Sequence, residues 1–264
     1  MKAHFLVTGA SRGLGRALCF SLARRGDPVV ALARDEAALE ELVGSLPQPG
    51  LGHRALVCDL ASPRAIAEAC VALRGGLAQL GGVIHNAAML GPVGPLEAVG
   101  GDDFARVMQV NVTAVQDLTL GLLPLLAGPE QTRLTLISSG AARRAIHGWS
   151  AYCTSKAALE MWGRCAAEEL RSRAISVLAI GPGVVDTDMQ AQIRASGPRG
   201  FPQHKSFVER YESGALASAE SVAERIAPVA LAHPMSASGL SLSVRDAEFC
   251  ALLEQLSGPE AARP

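Results

Sequence analysis

One of the chain's two tyrosines, Tyr152, stands four residues before Lys156 in the stretch SAYCTSKAALE, residues 150–160. On a helix, residues four apart lie on the same face, so both side chains can point into one cavity. A phenol has a pKa of ~10 and is a reluctant acid–base catalyst at neutral pH, but a neighbouring ammonium group lowers that pKa. The pair could therefore transfer protons, although most tyrosine–lysine pairs at this spacing are ordinary exposed neighbours.

Two serines precede this pair. Ser138 and Ser139 stand in ISSGAA at the end of an apolar run, and Ser139 lies thirteen residues before Tyr152. If the run is a strand of a parallel sheet, it ends at the sheet edge where α/β proteins bind their ligands. We therefore expect the serine pair to meet Tyr152 and Lys156 there. The alternative is that the two serines form an ordinary turn.

A glycine-rich stretch, VTGASRGLG, follows the first apolar run of the chain. Gly9, Gly13 and Gly15 permit a sharp turn and a close approach of the backbone to a pyrophosphate. The N-terminus of the helix behind them offers free N–H groups and the positive end of the helix dipole. Because the strand–turn–helix context is present, we predict a dinucleotide site in this loop, which also contains Ser11 and Leu14.

The end of the second strand indicates which dinucleotide is bound. An NAD site would place an acid there to bind the ribose 2′-hydroxyl, whereas VVALARDE has Arg34 followed by Asp35. Together with Arg12 of the glycine loop, Arg34 would suit a 2′-phosphate, which favours NADP(H). Alternatively, both arginines are surface residues and Asp35 caps the next helix.

Two further strand ends carry candidate cofactor contacts. Asp59 follows the third strand and could accept a hydrogen bond from the adenine amino group, with Leu60 against the ring. Asn86 follows the fourth strand and suits contact with a ligand or with a neighbouring strand. Each signal is weak alone, because an aspartate after a strand commonly caps a turn.

Short apolar runs alternate with amphipathic segments along the whole chain. The runs predict strands at 3–8, 28–33, 53–58, 82–86, 132–138, 174–180 and, more weakly, 240–244. The amphipathic segments predict helices near 13–25, 35–46, 62–74, 102–126, 151–172 and 218–232. This alternation predicts a doubly wound, Rossmann-type α/β fold in which helices cover both faces of a seven-stranded parallel sheet.

The same pattern predicts one domain over residues 1–250. Its regular alternation breaks at 184–216, where glycine, proline and polar residues accumulate, and we interpret this insertion as a lid over the substrate. Residues 251–264 are expected to form a C-terminal tail.

Composition excludes several function classes. Apolar residues make up 49% of the 264 residues, and a net charge of −1 provides no basic surface for nucleic acid. Six cysteines without CxxC spacing indicate reduced thiols in a cytoplasmic protein, and six scattered histidines predict no metal site. We expect no membrane span and no signal peptide.

The combined motifs resemble those of the short-chain dehydrogenase/reductase family over about residues 3–245. The resemblance rests on TGxxxGxG, on Asn111 in QVNVTA, on the serine, on YxxxK and on PGVVDT at 182–187. It implies that Tyr152 donates a proton to a carbonyl oxygen as hydride arrives from NADP(H). It also implies that Lys156 and the positive nicotinamide lower the pKa of Tyr152, and that Asn111 holds a water linking Lys156 to solvent.

The resemblance implies further contacts with substrate and cofactor. Ser139 would hydrogen-bond the substrate carbonyl, with Gly140 beside it, and Lys156 would also hold the nicotinamide ribose. The segment after the sixth strand would pack on the nicotinamide and bond its carboxamide through Pro182, Gly183, Val185, Thr187 and Met189. Of these, Gly183 and Met189 would also face the substrate.

Within the family, GWSAYCTSKAA and GPGVVDTDMQ resemble the sepiapterin reductase branch, which includes reductases of aromatic diketones such as benzil. Trp149, Met189 and Phe201 would form an apolar, partly aromatic pocket wall that suits a flat carbonyl compound. Trp149 could equally be a core residue. Further wall residues could be Met89, Leu90 and Cys153.

Two positions depart from that branch. Sepiapterin reductases use an aspartate to hold the pterin amino group where this chain has Ser243, and Asp246 has the opposite strand parity. A neutral serine lacks the charge that a guanidine-like pterin edge favours, which argues against pterin specificity. HNAA stands where the family usually has NNAG, and we expect His85 and Ala88 to shift adenosine binding only slightly.

These observations predict an NADPH-dependent carbonyl reductase of sepiapterin-reductase type, acting on a small aromatic or vicinal dicarbonyl compound. The alternatives are a 3-oxoacyl thioester reductase, an alcohol dehydrogenase, or a non-catalytic NADP(H)-sensing protein. The resemblance implies a homodimer or homotetramer formed through the helices that match 102–126 and 151–172. No nucleic-acid or membrane partner is expected.

Overall fold

The computed structural model describes residues 2–127 and 131–257. One sheet holds all seven of its strands, in the order β3-β2-β1-β4-β5-β6-β7, and every neighbouring pair is parallel. The strands are β1 (His4–Thr8), β2 (Val29–Ala33), β3 (Arg54–Val57), β4 (Leu80–His85), β5 (Thr132–Ile137), β6 (Ile175–Gly181) and β7 (Ser241–Ser243). This confirms the predicted doubly wound sheet. The strand order reverses beside β1, between β1 and β4, which places the ligand crevice at the ends of those strands.

Ten α-helices connect and flank the strands in the described residues. They are α1 (Gly13–Arg24), α2 (Glu36–Ser45), α3 (Pro63–Gly76), α4 (Gly101–Met108), α5 (Ala114–Leu126), α6 (Ser150–Leu170), α7 (Asp188–Ala195), α8 (His204–Glu212), α9 (Ala219–Ala232) and α10 (Ala247–Ser257). Asp35, Ser62 and Ser218 cap α2, α3 and α9, each accepting a bond from the N–H three residues on. In this part of the chain, no helix combines the length and apolarity that a membrane crossing needs.

The two faces of the sheet are buried in two separate cores. The side chains of α1, α9 and α10 pack on one face, and those of α3, α5 and α6 pack on the other. All five residues of β2, VVALA, are buried, as expected for a strand covered on both sides. The edge strand β3 is largely exposed.

The helix predicted at 102–126 is present, but a π-helical turn interrupts its α-helical hydrogen bonding. A π-turn at Gln109–Thr113 separates α4 from α5 and contains the buried Asn111. The cause is tertiary, because the Asn111 side chain is held by the backbone of Met89 after β4. Such widened turns are frequent at functional sites.

The two ends of the segment predicted as a lid lie next to each other. Val185 pairs with Ala217 in an isolated parallel bridge, so the chain between them leaves the sheet and returns to its starting point. This excursion carries α7 and α8.

The C-terminal helix α10 runs across the domain boundary expected at residue 250. Phe249 and Leu253 of this helix are almost fully buried in the core shared with α1 and α9. The packed domain therefore continues through Ser257, and residues 258–264 of the expected tail lie outside the described residues.

Candidate active site

The glycine loop between β1 and α1 forms a cradle that has no room for side chains. A Cβ added to Gly15 would lie 2.2 Å from the carbonyl oxygen of Gly9, and one added to Gly9 would lie 2.9 Å from Cα of Ala87. Gly9 and Gly13 have φ values of +67° and +53°, a region that favours glycine. No side chain caps the start of α1, so its first N–H groups are available to an anion.

Asn86 holds this cradle rather than projecting from it. Its Nδ2 donates to the carbonyl oxygen of Thr8 at 2.9 Å, while Thr8 Oγ1 accepts from the backbone N–H groups of Asn86 and Ala87. Of the two roles open from the sequence, the geometry gives Asn86 the contact with the neighbouring strand. Leu14 also turns its side chain into the core, whereas Ser11 is half-buried.

The two arginines expected at the 2′-phosphate lie on different segments, Arg34 after β2 and Arg12 in the glycine loop. Arg34 is exposed at the end of β2, and Asp35 next to it caps α2, as the alternative interpretation of that acid expected. Arg12 instead forms an ion pair with Asp188 at the start of α7, with 2.9 Å between Nη1 and Oδ2. Arg12 therefore has a carboxylate partner that a 2′-phosphate would have to displace, and the contact of both guanidinium groups with the ribose phosphate stays a prediction.

The two residues expected at the adenine follow β3, and their contact with a cofactor stays a prediction. Leu60 is buried after β3, and Asp59 accepts a hydrogen bond from the N–H of Ala61 at 3.0 Å. This local turn occupies one oxygen of the Asp59 carboxylate and leaves the other for an adenine amino group.

The segment PGVVDT lies against the glycine cradle. Thr187 places its Cγ2 3.2 Å from the position of a Cβ on Gly13, and Val185 is buried beneath it. Pro182 is half-buried and Gly183 is exposed with a φ of +80°. A cleft of about 590 Å³ opens beside this contact, between α1 and the residues around 186–188 and 218–220.

Tyr152 and Lys156 share one face of α6 and are both almost fully buried, at 6% and 2% exposure. The Lys156 ammonium lies 5.8 Å from the centroid of the Tyr152 ring. It donates to the backbone carbonyl of Ile137, at the end of β5, with an N–O distance of 2.8 Å. The two residues thus face a common site, as their spacing predicts.

Burial acts in opposite directions on the two groups. It raises the pKa of Tyr152 to about 12, against the effect of a hydrogen bond with Ser139. It lowers the pKa of Lys156 to about 8, against the effect of the carboxylate of Glu160. Near neutral pH, the phenol is therefore protonated and the amine is largely an ammonium ion.

The two serines after β5 divide their roles. Ser138 is buried and donates to Glu160 at 2.7 Å, whereas Ser139 turns toward Tyr152. The Ser139 hydroxyl also accepts from the N–H of Ala141, which fixes the short helical turn that follows. No atom lies near the position of a Cβ on Gly140, so open space adjoins this turn. The geometry favours Ser139 as the serine of the site, as the spacing from Tyr152 predicts.

Asn111 connects the π-turn to this site through its side chain. Its Nδ2 donates to Ser155 Oγ at 2.9 Å, and Ser155 in turn donates to the backbone carbonyl of Tyr152. Its Oδ1 and Nδ2 also bond the backbone of Met89 at 2.9 Å each. Both Nδ2 hydrogens and one acceptor position of Oδ1 are thus used in holding the start of α6, and the expected water contact of Asn111 stays a prediction.

An aromatic cluster covers the phenol of Tyr152. The Trp149 ring meets that of Tyr152 edge-on at 5.7 Å and stacks on Phe201 at 5.8 Å. Phe207 of α8 contacts both Trp149 and Phe201 at 5.4 Å. Leu90 is a buried member of this third hydrophobic cluster, while Met189 and Cys153 pack on it half-buried. Trp149 therefore belongs to the site cluster and to neither of the two main cores.

Phe207 was not among the wall residues predicted from the sequence. It stands in HKSFVERYE, where Phe207 beside Val208 in an otherwise largely polar helix is a weak signal. Comparison with known proteins supports the resemblance to the short-chain dehydrogenase/reductase family. The sequence profile described as short chain dehydrogenase matches residues 3–197.

The chain belongs to the short chain dehydrogenase family. A benzil reductase ((S)-benzoin forming) of Bacillus cereus is 30% identical, over 84% of this chain and 92% of its own length. A sepiapterin reductase of Xenopus tropicalis is 32% identical, over 84% and 88%. An NADPH-dependent pterin aldehyde reductase of Arabidopsis thaliana is 31% identical, over 70% and 75%.

Solved structures of the family share the fold. A short chain dehydrogenase of Shigella flexneri complexed with NADP superimposes with a TM-score of 0.79. It is 28% identical, and the match covers 92% of this chain and 97% of that one. The chain therefore shares its fold with a short chain dehydrogenase whose structure contains bound NADP.

The structure also shows the surroundings of Ser243, the C-terminal residue at which this chain differs from the sepiapterin reductase branch. Ser243 ends β7 beside Gly181, and its backbone N–H donates to Asp246 Oδ2 at 2.7 Å. Asp246 lies in the bend after β7, so the strand-parity argument does not apply to it; its carboxylate instead bonds the backbone at Ser243. The exposed guanidinium of Arg245 lies 3.8 Å from the position of a Cβ on Gly183 and brings positive charge to this end of the site.

Proposed function

We propose that the chain is an NADPH-dependent carbonyl reductase of sepiapterin-reductase type that reduces a small aromatic or vicinal dicarbonyl compound. The observation that carries this proposal is one juxtaposition. Tyr152, which has Lys156 on its helix face and a hydrogen bond with Ser139, packs its ring against Trp149 of the aromatic cluster.

The cradle after β1 fits a dinucleotide. Side chains are excluded at Gly9 and Gly15, so a pyrophosphate can approach the backbone and the start of α1. The end of β2 offers the exposed Arg34 and no acid that faces a ribose, since Asp35 caps α2. NADP in a solved relative and the NADPH dependence named for the Arabidopsis protein support NADP(H) here.

NADPH, when bound, supplies hydride to the carbonyl carbon. The chain's residues act on the carbonyl oxygen: the hydroxyl of Ser139 holds it, and the phenol of Tyr152 donates the proton. Burial keeps that phenol protonated, which is the state that a proton donor needs. The Lys156 ammonium stabilises the phenolate left behind, and its bond to Ile137 fixes its position.

The wall above the phenol favours an aryl carbonyl compound. Trp149 and Phe201 are buried, at 5% and 0% exposure, and pack against the half-buried Phe207, while the end of β7 offers the neutral Ser243. An aromatic ring can pack on the cluster, whereas the Ser243 side chain offers a pterin no carboxylate and the carboxylate of Asp246 nearby is bonded to the backbone. The excursion between Val185 and Ala217 carries two of the aromatic residues and serves as the lid.

The test is NADPH consumption against sepiapterin, benzil, 1-phenyl-1,2-propanedione and an acetoacetyl thioester, with NADH as the control cofactor. We expect turnover of the two aryl diketones and little of sepiapterin. Strong turnover of sepiapterin would show that Ser243 is no barrier to a pterin. Turnover of the thioester alone would favour the 3-oxoacyl alternative, and NADPH binding without any turnover would favour a sensor.

The assembly and the cellular site are further parts of this proposal. We expect a homodimer or homotetramer of a cytoplasmic protein, formed through α4–α5 and α6. Leu120 of α5 and Met161 of α6 expose apolar side chains, at 59% and 52%. Equilibrium sedimentation that finds only monomer would remove the assembly.

A further inference from the structure

Glu160 is a buried carboxylate that the proposed chemistry does not use. It follows Lys156 by one turn of α6, and only 8% of the residue is exposed. A carboxylate is costly to bury unless it is paired and hydrogen-bonded, so its partners indicate what the position requires.

The partners of Glu160 come from the turn after β5. Ser138 Oγ donates to Oε1 at 2.7 Å, and Arg143 Nε lies 3.5 Å from Oε2. The far end of Arg143 donates to the backbone carbonyl of Ser241 in β7. One carboxylate on α6 thereby connects both ends of the turn at 138–143, and Arg143 extends the connection to the last strand.

This turn and the residue before it carry two groups of the candidate site. Ser139 stands between the two partners of Glu160, and the carbonyl of Ile137 just before them accepts from Lys156. A small displacement of the turn would move both the hydroxyl that holds the carbonyl oxygen and the anchor of the ammonium. Errors of about 1 Å in such groups can cost a hundredfold in rate.

We propose that Glu160 is a positioning residue of the reductase site, which fixes the turn bearing Ser139 by binding Ser138 and Arg143. Its contribution to turnover rests on the proposed carbonyl reductase function, whereas its hold on the turn does not. Its charge also acts on the neighbouring ammonium, because it opposes the lowering of the Lys156 pKa by burial.

The experiment compares Glu160→Gln, Ser138→Ala and the double variant with the wild type. Glutamine keeps the shape and one acceptor oxygen but removes the charge that holds Arg143, and Ser138→Ala removes one bond without changing any charge. Glu169→Gln is the matched control, because Glu169 is an exposed residue of the same helix. The readouts are kcat and KM for an aryl diketone, the Kd of NADPH, and hydrogen exchange of the peptide spanning 138–143.

We expect both single variants to lower kcat, by about tenfold for Glu160→Gln, while the Kd of NADPH changes less than about threefold. Exchange in the turn should rise, and the losses of kcat should be less than additive in the double variant, since the Ser138 and Arg143 contacts of Glu160 hold the same turn. Glu160→Gln with the kcat and exchange of Glu169→Gln would overturn the proposal. A merely structural residue would reduce the NADPH-binding fraction and leave kcat per bound site unchanged, which would overturn it as well.

The proposed reductase function and the proposed role of Glu160 can be refuted independently of each other. If the wild type reduces none of the carbonyl compounds, the proposed function fails, and hydrogen exchange alone then decides the role of Glu160. Faster exchange at 138–143 in both variants supports the hold on the turn, and unchanged exchange refutes it.

Discussion

Arg12 of the glycine loop and Asp188 of α7 form an ion pair, with 2.9 Å between their charged atoms. The pair joins the cofactor cradle to the first helix of the proposed lid. Both side chains are about 70% exposed, at 71% and 68%, so solvent screens the attraction and its net contribution is at most about 1 kcal/mol. A doubly charged 2′-phosphate could therefore compete with Asp188 for the guanidinium.

The first prediction concerns that competition. In Asp188→Asn the guanidinium of Arg12 loses its carboxylate partner, so NADPH should bind about two- to threefold more tightly while NADH binding stays unchanged. Fluorescence titration of both cofactors measures the two Kd values. The control is Glu209→Gln, because Glu209 lies on α8 of the same excursion and pairs with Lys205 at 3.6 Å. Equal effects on NADPH and NADH would show that Arg12 does not reach the 2′-phosphate.

Arg34 gives a complementary prediction. Its guanidinium is exposed beside the expected ribose site, and a charge-assisted bond to the 2′-phosphate is worth about 1.5–3 kcal/mol before screening. Arg34→Ala should raise the KM for NADPH about tenfold and leave that for NADH nearly unchanged. Arg64→Ala, which changes an exposed arginine of α3, should alter neither value. An equal loss for both cofactors would mean that Arg34 does not read the phosphate.

Tyr152→Phe tests the proton donor. The substitution removes only the hydroxyl and keeps the ring that meets Trp149, so the aromatic cluster and the cofactor site should persist. We expect turnover to fall by at least about a hundredfold while the Kd of NADPH remains within about twofold of the wild type. Substantial remaining turnover would assign the proton donor elsewhere.

Much of the fold could be predicted because each strand is a compact apolar run. VVALA and SVLAI stand between turn residues, and burial on both faces of a parallel sheet requires nearly continuous apolar strands. The helix α10 was missed, although Phe249, Leu252, Leu253 and Leu256 have the 3, 4, 7 spacing of an amphipathic helix. That signal was available in the sequence.

Other features depend on contacts between distant parts of the chain. The π-turn around Asn111 follows from its bonds to Met89 and Ser155, residues 22 and 44 positions away. The catalytic candidates were readable because their motif is local: Tyr152 and Lys156 share a helix face. The Arg12–Asp188 pair and the Ser138–Glu160 bond join residues that only the tertiary fold brings together, so no local spacing indicates them.

Two buried histidines predict how stability depends on pH. Burial lowers the pKa of both His85 and His233 to about 3, and each stays neutral in hydrogen bonds with hydroxyl groups. The unfolded chain binds their protons below pH ~6.5, whereas the folded chain does not. Their stabilising effect is therefore present above pH ~6.5 and is lost as pH falls toward the folded-state values, by about 2 kcal/mol each between pH 7 and pH 5.

Urea unfolding at pH 7 and at pH 5 measures this loss. His85→Asn should reduce the difference in unfolding free energy between the two pH values by about 2 kcal/mol, whatever its effect on stability at pH 7. His147→Asn changes an exposed histidine and should leave that difference as in the wild type. A wild-type difference no larger than that of His85→Asn would contradict the neutral, buried state of His85, because then its proton affinity would be the same in the folded and unfolded chains.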